Sequence, residues 1–150
     1  IAYKIIHSTT IILPAWQIIL HDLQMTVSLM PCNVATQWNS TFDMLDYASK
    51  HREAVDTVTQ CRDLGLRKFE LTDHKWKITE QLCSILKDAT LFFSQSTPNL
   101  ATVIPSMGHI GKYLMTYSCD RSYSPAICAV VSLTKSTLNC YYSLTDSSKV

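Results

Sequence analysis

Thr72-Asp73-His74-Lys75-Trp76-Lys77-Ile78-Thr79-Glu80-Gln81-Leu82-Cys83-Ser84-Ile85-Leu86-Lys87-Asp88-Ala89-Thr90-Leu91-Phe92-Phe93 decides the fold class. Trp76, Thr79, Cys83, Leu86, Thr90 and Phe93 recur at steps of three and four, and Leu82, Ile85 and Ala89 widen the stripe. Residues so spaced share one face of an α-helix, which predicts a core-facing helix of about 20 residues. Thr72 or Asp73 is the capping residue.

The same period extends in both directions. Upstream, Pro14 suits a first helical turn and is followed by Trp16, Ile19, Leu20 and Leu23. Met30-Pro31-Cys32-Asn33-Val34 reads as a connector. A second helix is expected from Asn39-Ser40-Thr41 to Gly65, with Met44, Tyr47 or Ala48, Val55 and Val58 inward. Ser40 with Asp43 resembles a capping box, and Asp46 with Lys50 makes an i,i+4 pair. Downstream, Thr97 then Pro98 and Ser124 then Pro125 are helix starts, with a kink or break expected at Pro105. Only three glycines occur, too few for the turns of a β-rich chain of 150 residues. The expectation is all-α, with four to six helices.

Composition bounds the function. Hydrophobic residues make up 47% and charged residues 17%. The charged share is low for an independent soluble domain, so part of the surface is expected to lie against the rest of a longer polypeptide. The chain starts at Ile1 rather than Met, and reads as a fragment. A net charge of +1 gives no global pull toward nucleic acid or membrane. The apolar run from Ile11 to Leu20 is too short to span a bilayer and contains Pro14.

Chemistry-bearing patterns are sparse. The five histidines and six cysteines show neither C-x-x-C nor H-x-x-x-H spacing, so no metal site is expected. There is no G-x-S-x-G elbow and no glycine-rich phosphate loop. Asp43 and Asp46 lie three apart on one helix, where carboxylates equally complement a helix N-terminus. Arg67, Lys68, Lys75 and Lys77, interleaved with His74 and Trp76, form the one basic stretch that suits a phosphate backbone. Glu70, Asp73 and Glu80 dilute it, Asp73 standing four before Lys77, so a solvated face is the competing reading.

Thr36-Gln37-Trp38-Asn39-Ser40-Thr41-Phe42-Asp43-Met44-Leu45 resembles the T-R-W-N-S-T-Y-x-M-L block of hAT-family DNA transposases. Met30 to Ala35 is similar to the segment before that block, and Arg52-Glu53-Ala54-Val55 to the family's R-E-A-I/V stretch. Trp76 to Phe93, Pro98 to Pro105 and Leu138 to Ser148 resemble later blocks in order, so the likeness runs from about His7 to the end. The resemblance implies an RNase-H-like catalytic fold interrupted by a large helical insertion. Residues 1–35 would be the tail of the catalytic-fold region and residues 36–150 the insertion.

The resemblance also implies what is missing. The family's acidic triad has no counterpart here, so the chain carries no catalytic residue and is not itself an enzyme. The parent would be a metal-dependent transposase whose Mg²⁺ is held by acids elsewhere, and this segment needs no cofactor. The implied role is a non-catalytic piece supporting transposon-end DNA binding and active-site architecture. The alternative is a domesticated DNA- or protein-binding helical module without transposition. Partners would be DNA and the remainder of the transposase chain, in the nucleus, with no membrane and with the dimerisation region outside.

Trp38 takes by position the base-stacking role of the family's tryptophan, or anchors the following helix in the core; both readings stand. Gln37 replaces the usual arginine, which removes a cation, and Asn39 completes the trio. The six cysteines, in the reducing compartment this placement implies, are expected to be free thiols. Alkylation of the unfolded chain without reductant, followed by intact mass measurement, should label all six; any defined bridge contradicts the nuclear placement.

Overall fold

The computed structural model describes residues 1–34, 39–95 and 100–147. Among them are seven α-helices and no strand: α1 (Ala2–His7), α2 (Ile12–Asp22), α3 (Ser40–Lys50), α4 (Arg52–Gln60), α5 (Asp73–Gln95), α6 (Leu100–Cys119) and α7 (Pro125–Ser147). Two 3₁₀ turns, Arg62–Leu64 and Arg67–Phe69, join α4 to α5. The all-helical reading holds. The count exceeds four to six because α1 lacked a start signal and because the helix expected from Ser40 to Gly65 is divided at His51, whose φ of −111° and ψ of 30° leave the helical region. The chain forms two compact units, Ile1–Cys83 and Ser84–Val150, the division falling within α5.

In the first unit, Ile5, Trp16, Leu20, Met30, Ala54, Val55, Val58, Leu66 and Trp76 make the core. Helix α2 begins two residues before Pro14. Ser8 makes this possible: its hydroxyl accepts from Ile12 N–H at 3.3 Å and its carbonyl from Leu13 N–H at 3.0 Å. Pro14 then sits where its missing N–H costs nothing. The 23–34 connector is held by Ser28, whose carbonyl accepts from the Trp16 indole and the Tyr47 hydroxyl, each at 3.2 Å. Tyr47 in turn stacks on His51 with ring centroids 3.9 Å apart.

The capping box expected at Ser40 is not what forms. Asn39 is the N-cap of α3, and Ser40 is buried. The Ser40 hydroxyl reaches back to the connector, accepting from Val34 N–H at 2.9 Å and lying within hydrogen-bond distance of Asn33 Oδ1 and the Val34 carbonyl. Burial decides this: a hydroxyl inside the core goes to the unpaired backbone beside it. The Asp46–Lys50 pair forms as expected, at 2.6 Å. Thr72 rather than Asp73 caps α5, its hydroxyl accepting from Lys75 N–H at 3.4 Å.

In the second unit, Ile85, Leu114, Ile127 and Val131 are buried. Helix α7 starts at Pro125 as expected, with the Ser124 hydroxyl accepting from Ile127 N–H at 3.3 Å. Helix α6 continues through Pro105 as one element, so the expected break is absent. Proline there removes one backbone donor, and 14 helical residues follow to keep the element together. The spacing of Ile127, Val130, Val131, Thr134, Leu138 and Tyr141 predicts one inward face on α7; Ile127 and Val131 are buried and Leu138 is half-buried, whereas Val130 and Thr134 are exposed. The stretch Ser94-Gln95-Ser96-Thr97-Pro98 reads as a turn in sequence; Ser94 and Gln95 are instead the last residues of α5, and 96–98 lie outside the described residues.

Helix α2 ends in a Schellman motif. Met25 N–H bonds the Leu20 carbonyl and Gln24 N–H the His21 carbonyl, both at 2.9 Å. Gln24 therefore takes φ = +56°, a left-handed conformation that costs an L-residue about 1–2 kcal/mol. Its substitution by glycine is expected to stabilise the chain, by about 0.5–1 kcal/mol once the looser unfolded state is counted. Urea denaturation of Gln24→Gly beside the parent chain checks the sign.

Candidate nucleic-acid interface

The two sequence blocks that suit DNA fall on different parts of the first unit. Gln37 and Trp38 lie outside the described residues. Asn39 is described: half-buried, it opens α3, and its carbonyl accepts from Asp43 N–H at 2.9 Å. The residues flanking this block are fastened together, since Ser40 bonds Val34 and the Thr41 hydroxyl donates to Asn33 Oδ1 at 2.8 Å.

The basic residues are placed by the 3₁₀ turn and the first turns of α5. Gly65, at φ = +63°, reverses the chain into Arg67–Phe69, and the Thr72 cap sets the start of α5. Arg67, Lys68, Lys75 and Lys77 are all exposed. Lys68 and Lys75, with Glu70, line one cleft of about 320 Å³, whose apolar floor includes Met44, Val55 and Leu71. The Lys68 ammonium lies 5.3 Å from the Phe69 ring centroid. Arg67 and Lys77 do not line this cleft.

Trp76, interleaved with these cations in sequence, lies at the bottom of the same cleft and is packed into the core. It is 1% exposed. Its indole N–H donates to Asp56 Oδ1 at 2.9 Å, and the Arg52 guanidinium lies 5.4 Å from its ring centroid. Arg52 is paired twice, with Asp56 at 3.5 Å and with Asp73. The Asp73 hydrogen bond, and after it Asp56, raises the Arg52 pKa above its ordinary value. Sequence spacing paired Asp73 with Lys77; the structure gives it to Arg52 of α4 instead. Arg52 is shared by Asp56 and Asp73, so those three side chains together keep one negative charge. Glu70 and Glu80 stand among the four cations, and among the described residues no ion pair engages any of the four.

Three of the acids are already engaged by cations. Asp46 is engaged by Lys50, Asp56 by Arg52 and Trp76, and Asp73 by Arg52. Among the described residues no three His, Cys, Asp or Glu side chains form a metal-holding group. These residues do not fit a Mg²⁺ centre of the kind the parent reaction implies. All six cysteines are unbridged. No helix among the described residues is long and apolar enough to cross a membrane.

Two positions that hold this unit together escaped sequence reasoning. Asp56 reads as an ordinary exposed helix acid, and its bond to a tryptophan 20 residues later has no local signal. Ser28 acts through its carbonyl, which sequence does not display. Ser40 is different: its place inside the W-N-S-T-like block marked it, and only its partner was misassigned.

A model of the ZBED1 RNase-like helical domain matches residues 4–85. The chain is 30% identical over 114 residues to a Talaromyces stipitatus protein that is by name a transcriptional regulator, tpeD. That stretch is 76% of this chain and 12% of the relative, so the chain spans a small part of that protein. At 114 residues the likeness also runs past residue 85. No solved structure matches.

The Trp76 arrangement separates packing from surface roles. Trp76→Ala is expected to cost about 3–5 kcal/mol, as large-to-small core changes do. Asp56→Ala, which strands a buried indole N–H, should cost about 1–3 kcal/mol. Asp56→Asn, which keeps an acceptor and loses only partly exposed ion pairing, should stay within about 1 kcal/mol. Urea denaturation of the three variants checks the order.

Proposed function

The chain belongs to the ZBED1 RNase-like helical domain family, and from that membership we propose that it is the non-catalytic helical part of an hAT-type transposase or of a protein descended from one, supporting DNA binding in the nucleus. The observation that carries the reading is the coincidence of the matched region, residues 4–85, with a compact unit that exposes Arg67, Lys68, Lys75 and Lys77, none of them held in an ion pair among the described residues. Arg67, Lys68, Lys75 and Lys77 would meet phosphates. Gln37, Trp38 and Asn39 would meet DNA near the reacting strand in the intact protein. Any Mg²⁺ would be held by acids elsewhere in the parent, and the segment itself performs no strand cleavage.

A second reading is a domesticated regulatory module that binds DNA or protein without transposition. The likeness to a protein named as a transcriptional regulator favours it. The two readings share the helical scaffold and differ in what the rest of the polypeptide does. In both, the remainder of the chain is a partner. Tyr3, Ile11 and Ile18 are 60–66% exposed on α1 and at α2, apolar surface of the kind a larger protein covers.

The test is the salt dependence of binding to a labelled duplex. Each phosphate contact contributes about 0.9 to the slope of log affinity against log salt. Substituting Arg67, Lys68, Lys75 and Lys77 together by glutamine should flatten the slope by about 2–4 and leave the thermal midpoint near that of the parent chain. Gln37→Arg should steepen it by about 0.9. An unchanged slope in the quadruple variant removes the interface. DNA nicking by the purified chain with Mg²⁺ or Mn²⁺ would contradict the non-catalytic reading.

A further inference from the structure

The connector between α2 and α3 runs from Met25 to Val34 without a helix, turn or bend. Its sequence, Met25-Thr26-Val27-Ser28-Leu29-Met30-Pro31-Cys32-Asn33-Val34, carries no charged residue. Val27, Ser28, Leu29 and Met30 alternate outward and inward: Val27 and Leu29 are 49% and 55% exposed, whereas Ser28 is half-buried and Met30 buried. That is the side-chain period of a strand, yet among the described residues no strand pairs with the segment. Successive residues of an extended chain also turn their backbone N–H and C=O groups to opposite edges. The two edges of this segment therefore have separate hydrogen-bond partners.

The edge made by the even-numbered residues is engaged by the protein itself. The Ser28 carbonyl accepts from the Trp16 indole and the Tyr47 hydroxyl, each at 3.2 Å, and the Thr26 carbonyl accepts from the Ser28 hydroxyl at 3.3 Å. Val34 N–H donates to the Ser40 hydroxyl at 2.9 Å. The other edge is open: among the described residues no hydrogen bond reaches the backbone of Val27 or Leu29. Their N–H and C=O groups and their apolar side chains stand exposed together. No charged side chain on the segment keeps another strand away.

These groups fit a second copy of the same segment. Set antiparallel about a two-fold axis beside Ser28, Val27 lies opposite Leu29 of the second copy, and Leu29 opposite its Val27. Residues so opposed exchange both hydrogen bonds. Every open donor and acceptor of Val27 and Leu29 is then satisfied on both copies, and their side chains meet as apolar cross-strand pairs. The ends of the segment select this register. Beyond the two pairs, Met25 would face Pro31 of the second copy; proline has no N–H, and Met25 N–H already donates to the Leu20 carbonyl at 2.9 Å. A shift by two residues in either direction leaves one carbonyl, of Leu29 or of Val27, opposite a residue with no donor to give. The contact is isologous, so it closes on a pair of chains. So short a ladder makes the association weak.

We propose that two copies of this chain associate through the 25–34 segment, by antiparallel pairing of Val27 with Leu29. The contact uses none of the residues assigned to DNA and stands apart from that reading. The test is sedimentation equilibrium of the full chain, with amide exchange followed by NMR, over a dilution series from about 1 mM to about 10 μM, the range of a weak contact. The chain should be largely dimeric at the top of the series and monomeric at the bottom, with the Val27 and Leu29 amides exchanging slowly in the dimer alone. Val27→Pro removes one donor per copy while keeping the chain extended, and should weaken pairing about tenfold or more. Val27→Lys/Leu29→Lys sets like charges opposite each other and should abolish pairing. Val27→Lys/Leu29→Glu sets opposite charges in each pair and should dimerise like the parent chain. Both side chains are exposed, so the thermal midpoint of the dilute lysine variants should match that of the parent.

A chain that stays monomeric throughout the series overturns the proposal. So does a dimer that Val27→Pro and Val27→Lys/Leu29→Lys leave intact, or one whose Val27 and Leu29 amides exchange as fast as in the monomer. The assigned register fails, and the proposal with it, if Val27→Lys/Leu29→Glu dimerises no better than Val27→Lys/Leu29→Lys. A monomeric chain whose two amides become protected only with an added threonine–valine repeat peptide takes its strand from another polypeptide, and the second-copy assignment falls.

Discussion

The first unit depends on how it accommodates Trp76. An indole buries a large apolar area and brings one N–H that must be paired inside. Asp56 supplies the acceptor, and a half-buried carboxylate needs a counter-charge in turn. Arg52, one helical turn earlier, provides it and spreads its guanidinium near the same ring. The first residue of α5, Asp73, then closes the arrangement from the other side. One tryptophan thus ties α4 to the start of α5, and the 61–72 segment between them is confined at both ends. Lys68 and Lys75 are brought to a common cleft by that confinement, because one lies on the intervening turn and the other on the first turn of α5. The surface charge is arranged by the core beneath it.

Much of this was legible in the sequence, and the residues show why. Periodicity gave α5 and its cap region because a three- and four-residue stripe has one structural meaning at that length. Pro125 after Ser124 gave the start of α7 because both residues act through their own backbone and neighbours. Failures occurred where the deciding partner is distant. His51 breaks the expected long helix without a glycine or proline to announce it. Ser40 has the chemistry of a cap, yet burial beside the connector turns its hydroxyl toward Val34. Asp73 has a lysine four residues on, and a better-placed arginine 21 residues back takes it. Local rules assume that a polar side chain chooses among its neighbours in sequence; tertiary packing changes the list of neighbours.

The candidate site was legible in part for the same reason. Exposure of Arg67, Lys68, Lys75 and Lys77 follows from their type and needs no tertiary information. The apparent aromatic member of that stretch, Trp76, is the one whose role depended on packing, and it went inside.

The residues that carry the family resemblance and can be placed in the structure are largely scaffold. Ser40 fastens a connector, Arg52 and Trp76 join two helices, and Ala54 and Val55 fill the core. A motif recognised through such residues reports a fold, and a fold outlives its chemistry because packing is tested each time the chain folds. Loss of a catalytic acid elsewhere would leave the Trp76 arrangement untouched. The same scaffold can therefore underlie an active transposase and a regulator that only holds DNA. What separates them must lie in exposed groups that packing does not fix. In this chain Arg67, Lys68, Lys75 and Lys77 are exposed groups of that kind, carried on the 3₁₀ turn and the first turns of α5.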